Sequence, residues 1–379
     1  MRAFVFTDKA LASEAGRFVW LSIDSEKPQN APFRKQFAVP ALPTFFVIDP
    51  QANQAVLRWV GGMSVTQVRG VLDAGEANVR GDGTGADAVL AKADRLYADS
   101  KNPDAVTAYR EALAQAPAGW PQYARATESL LFALSSTGDN EGVVKLAQDA
   151  YPRLAGTVSA ANLASSGLDA AMQLPAENAA RAALIQEFEQ KTRECVENPP
   201  AGLAADDMSG LFGLLGAARD DAKDSLGVHE WTVKRAAFLD GAAAKAASPA
   251  GRTVFDSHRL SVYIELGQPE KAIAFLEQSE RDFPQDYNPP ARLAAAYKAM
   301  KRWDAALAAS NRAVKRVYGP RRISVLTTRA DIYKGMGDMA MMKTTLTEAL
   351  AVAEALPPGQ RNEGTITSLK KKIDAVSVQ

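Results

Sequence analysis

The sequence predicts a chain of mixed class, α/β plus all-α: a short α/β segment first, then a long array of paired helices. Three observations carry this. Residues Thr44–Ile48 form a β-branched and aromatic run bounded by Pro43 and by Asp49-Pro50, which suits a strand covered on both faces. Alanine is abundant from residue 86 onward, with few β-branched runs, which favours helix. Tyr263 and Ala272 recur 34 residues on as Tyr297 and Ala306, a period that marks a helical repeat.

In chain order, residues 3–15 predict a helix, with Thr7 or Asp8 as cap and Gly16 as stop. Phe18–Ile23 reads as a strand, and 32–37 as a short helix with Phe33 and Phe37 four apart. Pro43 cannot donate to a ladder, so it belongs at the first position of the next strand. Gln51–Gln54 is a turn, and Ala55–Val60 returns antiparallel. Gly61-Gly62 breaks that strand, and Ser64 caps a helix with Val65, Val68, Val71 and Leu72 on one face.

This order, with the Leu42-Pro43-Thr44 turn, the FVWLSID strand and the Gly61-Gly62 pair, resembles the second half of a thioredoxin fold over residues 1–77. The resemblance implies a cis proline at Pro43 and a substrate- or peptide-binding loop at Leu42, Pro43 and Thr44. It also implies one further strand, central in the sheet, and a Cys-x-x-Cys dithiol, neither of which this sequence contains. Leaving the neighbouring strands unpaired costs about 1–3 kcal/mol per buried backbone group. The expectation is therefore a thioredoxin-like domain incomplete at its N-terminus, with a reading frame that continues upstream of Met1. An in-frame stop just before Met1 would overturn it.

Gly81-Asp82-Gly83-Thr84-Gly85 reads as a flexible linker. It lacks the Lys of a phosphate loop and the later Glu of a calcium loop. Beyond it, Tyr263, Gly267, Ala272 and Pro284 have the offsets of an aromatic, a tight-turn glycine, a small second-helix residue and a terminal proline. Tyr297, Trp303 and Ala306 form a second unit, and Tyr333, Gly337, Leu346 and Ala349 a third. Ala93, Ala105, Tyr109, Ala112 and Pro117 fit one upstream unit; Leu131, Leu134, Gly138 and Ala150 fit the next more loosely. These offsets resemble tetratricopeptide repeats, which implies an α-α superhelix whose groove takes a protein or peptide partner. Between about 158 and 250 the register is lost while helical pairs continue, over 179–196, 208–225 and 230–247. They read as degenerate repeats within one continuous superhelix, with a separate helical insert as the alternative. Leu369 and Ile373 place a cap helix over 368–375. The expected divisions are 1–78, thioredoxin-like; 79–86, linker; 87–157, repeats; 158–252, degenerate repeats; and 253–379, repeats with a C-terminal cap helix.

Lys plus Arg equals Asp plus Glu, 44 against 44, so no overall field points to nucleic acid or an anionic membrane. No apolar run is long enough to span a bilayer, and the first ten residues do not make a signal peptide. One cysteine and two histidines exclude an intrachain disulfide and a Cys- or His-rich metal site. Cys195 lies mid-helix between Glu194 and Glu197, where carboxylates raise a thiol pKa, and reads as a plain structural or surface cysteine rather than a resolving thiol. Asp256-Ser257-His258 is adjacent in sequence, unlike a triad assembled from distant segments. His229-Glu230 lacks the second His of a zinc-protease helix.

Arg312, Lys315, Arg316, Arg321 and Arg322 form the notable basic cluster. They read either as a site for a partner's acidic tail or as a solvated helix end. Lys370–Lys372 reads as a solvated face.

The expected function is a protein- or peptide-binding repeat scaffold carrying a thioredoxin-like module without redox activity, with no catalytic residues, cofactor or metal. The alternative is a thiol–disulfide oxidoreductase whose dithiol lies upstream. Taken from Met1 the chain is expected in the cytoplasm. With an upstream start it resembles exported bacterial proteins.

Overall fold

A computed structural model describes residues 5–39, 41–81 and 83–377. The expectations at residues 3 and 4, Pro40 and Asp82 fall outside them. The chain divides into two compact units. The first comprises Met1–Val19 and Phe37–Arg235, and the second Trp20–Gln36 and Ala236–Gln379.

In the first unit, Asp8 caps a short 3-10 helix at Lys9–Glu14, where a longer helix was expected. β1 (Thr44–Asp49) pairs antiparallel with β2 (Gln54–Val60). Thr44 faces Val60 and Phe45 faces Trp59, with a bulge between Val47 and Ile48 that leaves Val56 extra. The Asp49 carboxylate accepts the Gln51 and Ala52 amides at 2.9 and 3.3 Å and closes the turn.

The strand expected at Phe18–Ile23 is not formed, and among the described residues the sheet has two strands. Residues 18–23 lack a ladder beside them, and Val19 and Leu21 are 88% and 73% exposed. For the same reason β1 is only half-buried, not covered on both faces. β2 is the buried strand, with Ala55–Trp59 inside.

α1 (Ala31–Gln36) belongs to the second unit. α2 (Val65–Arg80) starts from a full capping box, Ser64 with Gln67. It buries Val68, Val71 and Leu72 against Val47, Leu57 and Trp59, the face its apolar spacing predicted. Gly81, left-handed at φ 70°, ends it by donating to Ala77 O. The next helix begins at Ala86.

Helical pairs follow: α3 (Ala86–Ala98) with α4 (Asn102–Gln115), α5 (Tyr123–Thr137) with α6 (Asn140–Leu154), α7 (Val158–Gln173) with α8 (Arg181–Glu197), and α9 (Ala205–Asp221), then α10 (Ser225–Ala244). Consecutive helices from α3 to α9 pack together, and α3, α5, α7 and α9 also touch in series. A layer of first helices is thereby set beside a layer of second ones. The pairing continues through residues 158–221, where sequence register fades. The reason lies in packing: Leu163, Ala164, Leu168 and Ala171 are wholly buried although they miss the repeat offsets.

In the second unit, α11 (Pro249–Thr253) and α12 (Asp256–Glu265) precede a 3-10 turn at Pro269–Ala272 and α13 (Ile273–Asp282). α14 (Asn288–Ala299) pairs with α15 (Trp303–Arg316), and α16 (Arg321–Met336) with α17 (Met339–Ala355); α18 (Glu363–Ser377) packs on α17. Ala272, Ala306 and Ala349 are fully buried, and Leu346 nearly so. These are the small and apolar positions that the repeat offsets marked. α18 covers the last pair with Ile366 and Leu369.

The approach of α15 to α16 depends on Gly335, because a Cβ there would run into the Trp303 indole. Gly335→Ala is expected to lower stability by about 1–3 kcal/mol, the usual overpacking cost. Thermal unfolding followed by circular dichroism measures it, and an unchanged midpoint would contradict this contact.

Candidate peptide-binding surfaces

The first unit holds a cleft of 470 Å³ lined chiefly by α7 and α9, with the C-terminal end of α5. Its polar wall comes from one helical face. Asn162, Ser165, Ser166, Asp169 and Gln173 all line it, at offsets of three, four, seven and eleven from Asn162, the spacing that stacks side chains along one side of a helix. The opposite wall carries Asp206 and Asp207 in the first turn of α9, where carboxylates suit the positive helix end. The lining includes Leu203, Leu211 and Leu214 but neither Lys nor Arg. An acidic, amide-rich cleft with an apolar floor can accept backbone donors and one cationic side chain.

Two carboxyls at or below the cleft are pushed upward. Glu128 lies inside α5 and accepts from Gln67 Nε2 at 2.9 and 3.0 Å and from Asn162 Nδ2 at 2.7 Å. Burial raises it to about 7, the hydrogen bonds from Asn162 and Gln67 opposing. Burial, then the neighbouring Asp206, raises Asp207 to about 6. Asn162 therefore joins two roles. It lines the cleft, and it ties α7 to Glu128, which also holds the capping residue of α2.

Sequence reading did not single out Asn162, Asp207 or Glu128. The signal for the first was present, since a polar stripe on an otherwise Ala- and Leu-rich helix marks a presented face. Glu128 left none, because its burial depends on helices remote in the chain.

The predicted site residues fall elsewhere. The Leu42–Pro43 peptide bond is cis. Pro43 O accepts the Gly61 amide at 2.9 Å, Thr44 Oγ1 donates to Ala41 O at 2.6 Å, and the Leu42 side chain is 60% exposed. Cys195 is buried in α8, and burial first, then Glu194, pushes its thiol up. Of the two readings left open in sequence, structural or surface, burial selects the structural one.

The basic cluster is not one surface of uncommitted charge. Arg312 and Arg316 both bind Glu280, at 2.8 and 2.9 Å. Arg322 binds Glu348 at 2.8 Å, Arg321 binds Glu26 at 2.6 Å, and Lys315 is exposed on α15. No helix among the described residues is long and apolar enough to cross a membrane.

Residues 263–324 and 323–355 each match a family profile described as tetratricopeptide repeat. That part of the chain consists of tetratricopeptide repeats. No sequence among curated proteins matches the chain.

Among solved structures, a tetratricopeptide repeat protein from Parabacteroides merdae aligns at 11% identity and a TM-score of 0.49, over 78% of this chain and 100% of that one. A signal transduction ATPase with a tetratricopeptide repeat sensor, from Pyrococcus horikoshii, aligns at 14% identity and a TM-score of 0.43, over 80% and 55%. The TPR2AB domain of yeast Sti1 in complex with pHSP90 aligns at 15% identity and a TM-score of 0.30, over 77% and 98%.

Proposed function

We propose that the chain is a protein-binding scaffold whose helical repeats hold a peptide segment of a partner. The observation that carries this is the run of tetratricopeptide repeats over residues 263–355. Such repeats stack into an extended surface and bring together no nucleophile and base. The cleft of the first unit adds a preference. Asp169, Asp206 and Asp207, without a lining cation, favour a segment bearing Lys or Arg.

We read residues 1–77 as the accessory module, with Leu42, Pro43 and Thr44 as its peptide contact. The β1–β2 hairpin followed by α2 supports this reading, while the strand expected at Phe18–Ile23 does not form. Thiol–disulfide exchange needs a reactive thiolate near that loop, and the one cysteine of the 379 residues is the buried Cys195. The scaffold reading is therefore preferred to the oxidoreductase.

A random peptide library displayed on phage and panned on the full chain tests the proposal. Selected peptides are expected to carry Lys or Arg, and to bind Asn162→Ala and Asp207→Asn variants about tenfold more weakly in calorimetric titrations. An empty selection would overturn peptide binding. Selected peptides indifferent to both substitutions would overturn the assignment to the cleft.

A further inference from the structure

The second unit contains a small recognition surface, built on the turns that lead into α14, α16 and α18. Tyr287 closes the first turn, Tyr318 and Arg321 flank the second, and Gln360 sits in the third. These groups converge on residues Asp24–Lys27, which come from the N-terminal part of the chain.

Tyr318 Oη donates to Asp24 Oδ2 at 2.7 Å, and Tyr287 Oη donates to Glu26 Oε2 at 3.0 Å. Arg321 Nε donates to the other Glu26 oxygen, Oε1, at 2.6 Å. The Gln360 amide, on a nearly buried side chain, reads the backbone by donating to Ser25 O at 2.9 Å and to Lys27 O at 3.0 Å.

The ligand is a turn shaped from within. Lys27 N donates to Asp24 O at 3.2 Å, Glu26 N to Asp24 Oδ1 at 3.0 Å, and Asn30 Nδ2 to Asp24 O at 2.7 Å. Tyr287 and Tyr318 stand edge to face, with centroids 6.2 Å apart, and support one another.

The arrangement has the parts of a sequence-selective peptide site. Two phenols and one guanidinium read two carboxylates spaced as Asp-x-Glu, and one amide reads two carbonyls irrespective of side chain. Nothing in it depends on the groove of the repeats. It lies on the turns between helix pairs, where loops tolerate change and carry recognition.

We infer that Tyr287, Tyr318, Arg321 and Gln360 form a binding site for an acidic Asp-x-Glu turn, and that Asp24–Lys27 occupies it as an intramolecular ligand. An acidic turn on a partner protein would compete for the same groups. Its apparent affinity is reduced by the high effective concentration of the tethered segment.

A fluorescein-labelled synthetic peptide of residues 20–36 serves as probe, titrated by anisotropy against the full chain. The variant Asp24→Asn/Glu26→Gln weakens the tethered ligand while leaving the site intact, and is expected to bind the probe about tenfold more tightly than the unmodified chain. Adding Arg321→Ala and Tyr318→Phe to that variant is expected to abolish the gain. A probe carrying the same Asn and Gln replacements is expected to bind no variant. Equal affinity of the unmodified chain and the double variant, or a gain that survives loss of Arg321 and Tyr318, would overturn the inference. The first-unit variants at Asn162 and Asp207 leave these residues untouched, so the two tests fail independently.

Discussion

Replacing Asp94 by alanine is expected to destabilise the first unit by about 3–5 kcal/mol, the cost of leaving a buried charge without its partner. Asp94 is 1% exposed on α3 and receives four hydrogen bonds from three side chains on three helices. Arg125 on α5 approaches both carboxylate oxygens, at 3.1 and 3.0 Å. Tyr109 Oη on α4 donates at 2.9 Å, and Asn78 Nδ2 on α2 at 3.1 Å. Asn78 also donates to Val56 O of β2 at 3.1 Å. One carboxylate therefore joins the α/β module to the first two helical pairs.

The Arg125 side chain is only 10% exposed, so water cannot replace the lost carboxylate. Asp94→Asn keeps the shape and part of the bonding, and should cost less than the alanine variant. Chemical denaturation followed by circular dichroism measures the loss. A double-mutant cycle with Arg125→Ala isolates the pair, whose coupling is expected to exceed that of an exposed ion pair, roughly 0–1 kcal/mol. A coupling within that surface range would show that the hub holds nothing together.

The second large effect is a dependence of stability on pH. Burial moves the Glu128 carboxyl from its ordinary 4.5 up to about 7. Between those values the folded chain keeps a proton that the unfolded chain releases. The stabilisation is therefore complete below about pH 4.5 and lost as the pH rises to 7. A shift of that size corresponds to about 3 kcal/mol.

Asp207, raised from 3.8 to about 6, adds a contribution of the same sign at lower pH. Carboxylates lowered by arginine partners, such as Glu280 beside Arg312 and Arg316, act oppositely and lose their contribution in acid. The comparison that isolates Glu128 is Glu128→Gln against the unmodified chain at pH 5 and pH 8. The variant is expected to match it at pH 5 and to be more stable at pH 8 by up to about 3 kcal/mol. Parallel stability curves across that range would show that Glu128 titrates normally.

The repeat positions were legible because they are set by local constraints of fixed spacing. Ala272, Ala306, Leu346 and Ala349 are buried as the offsets required. Gly138 and Gly337 end α5 and α16 in the left-handed conformation, at φ 71° and 80°. The α2 cap and the β1–β2 hairpin were equally local.

The strand at Phe18–Ile23 was misread because β propensity expresses fit to a neighbouring strand, and no ladder runs beside those residues. For the basic cluster, sequence left open a partner site or a solvated helix end, because nearness in sequence does not say which carboxylate each cation meets. Glu280, Glu348 and Glu26, from three remote segments, partition it. The polar stripe of α7 could have been seen in sequence. Its meaning could not, because α9 and Asp207 supply the facing wall.

By itself, the sequence determined the all-α repeat array with its small-residue contacts and the hairpin at Thr44–Val60. Each follows from periodicity, capping or the immediate neighbourhood of a residue. Only the tertiary structure decided that Asp94 is a hub, that burial raises the Glu128 carboxyl and that Asp24–Lys27 lies on the turns before α14, α16 and α18. Those features arise from burial and from partners up to 335 residues apart, and desolvation and long-range charge have no period along a chain.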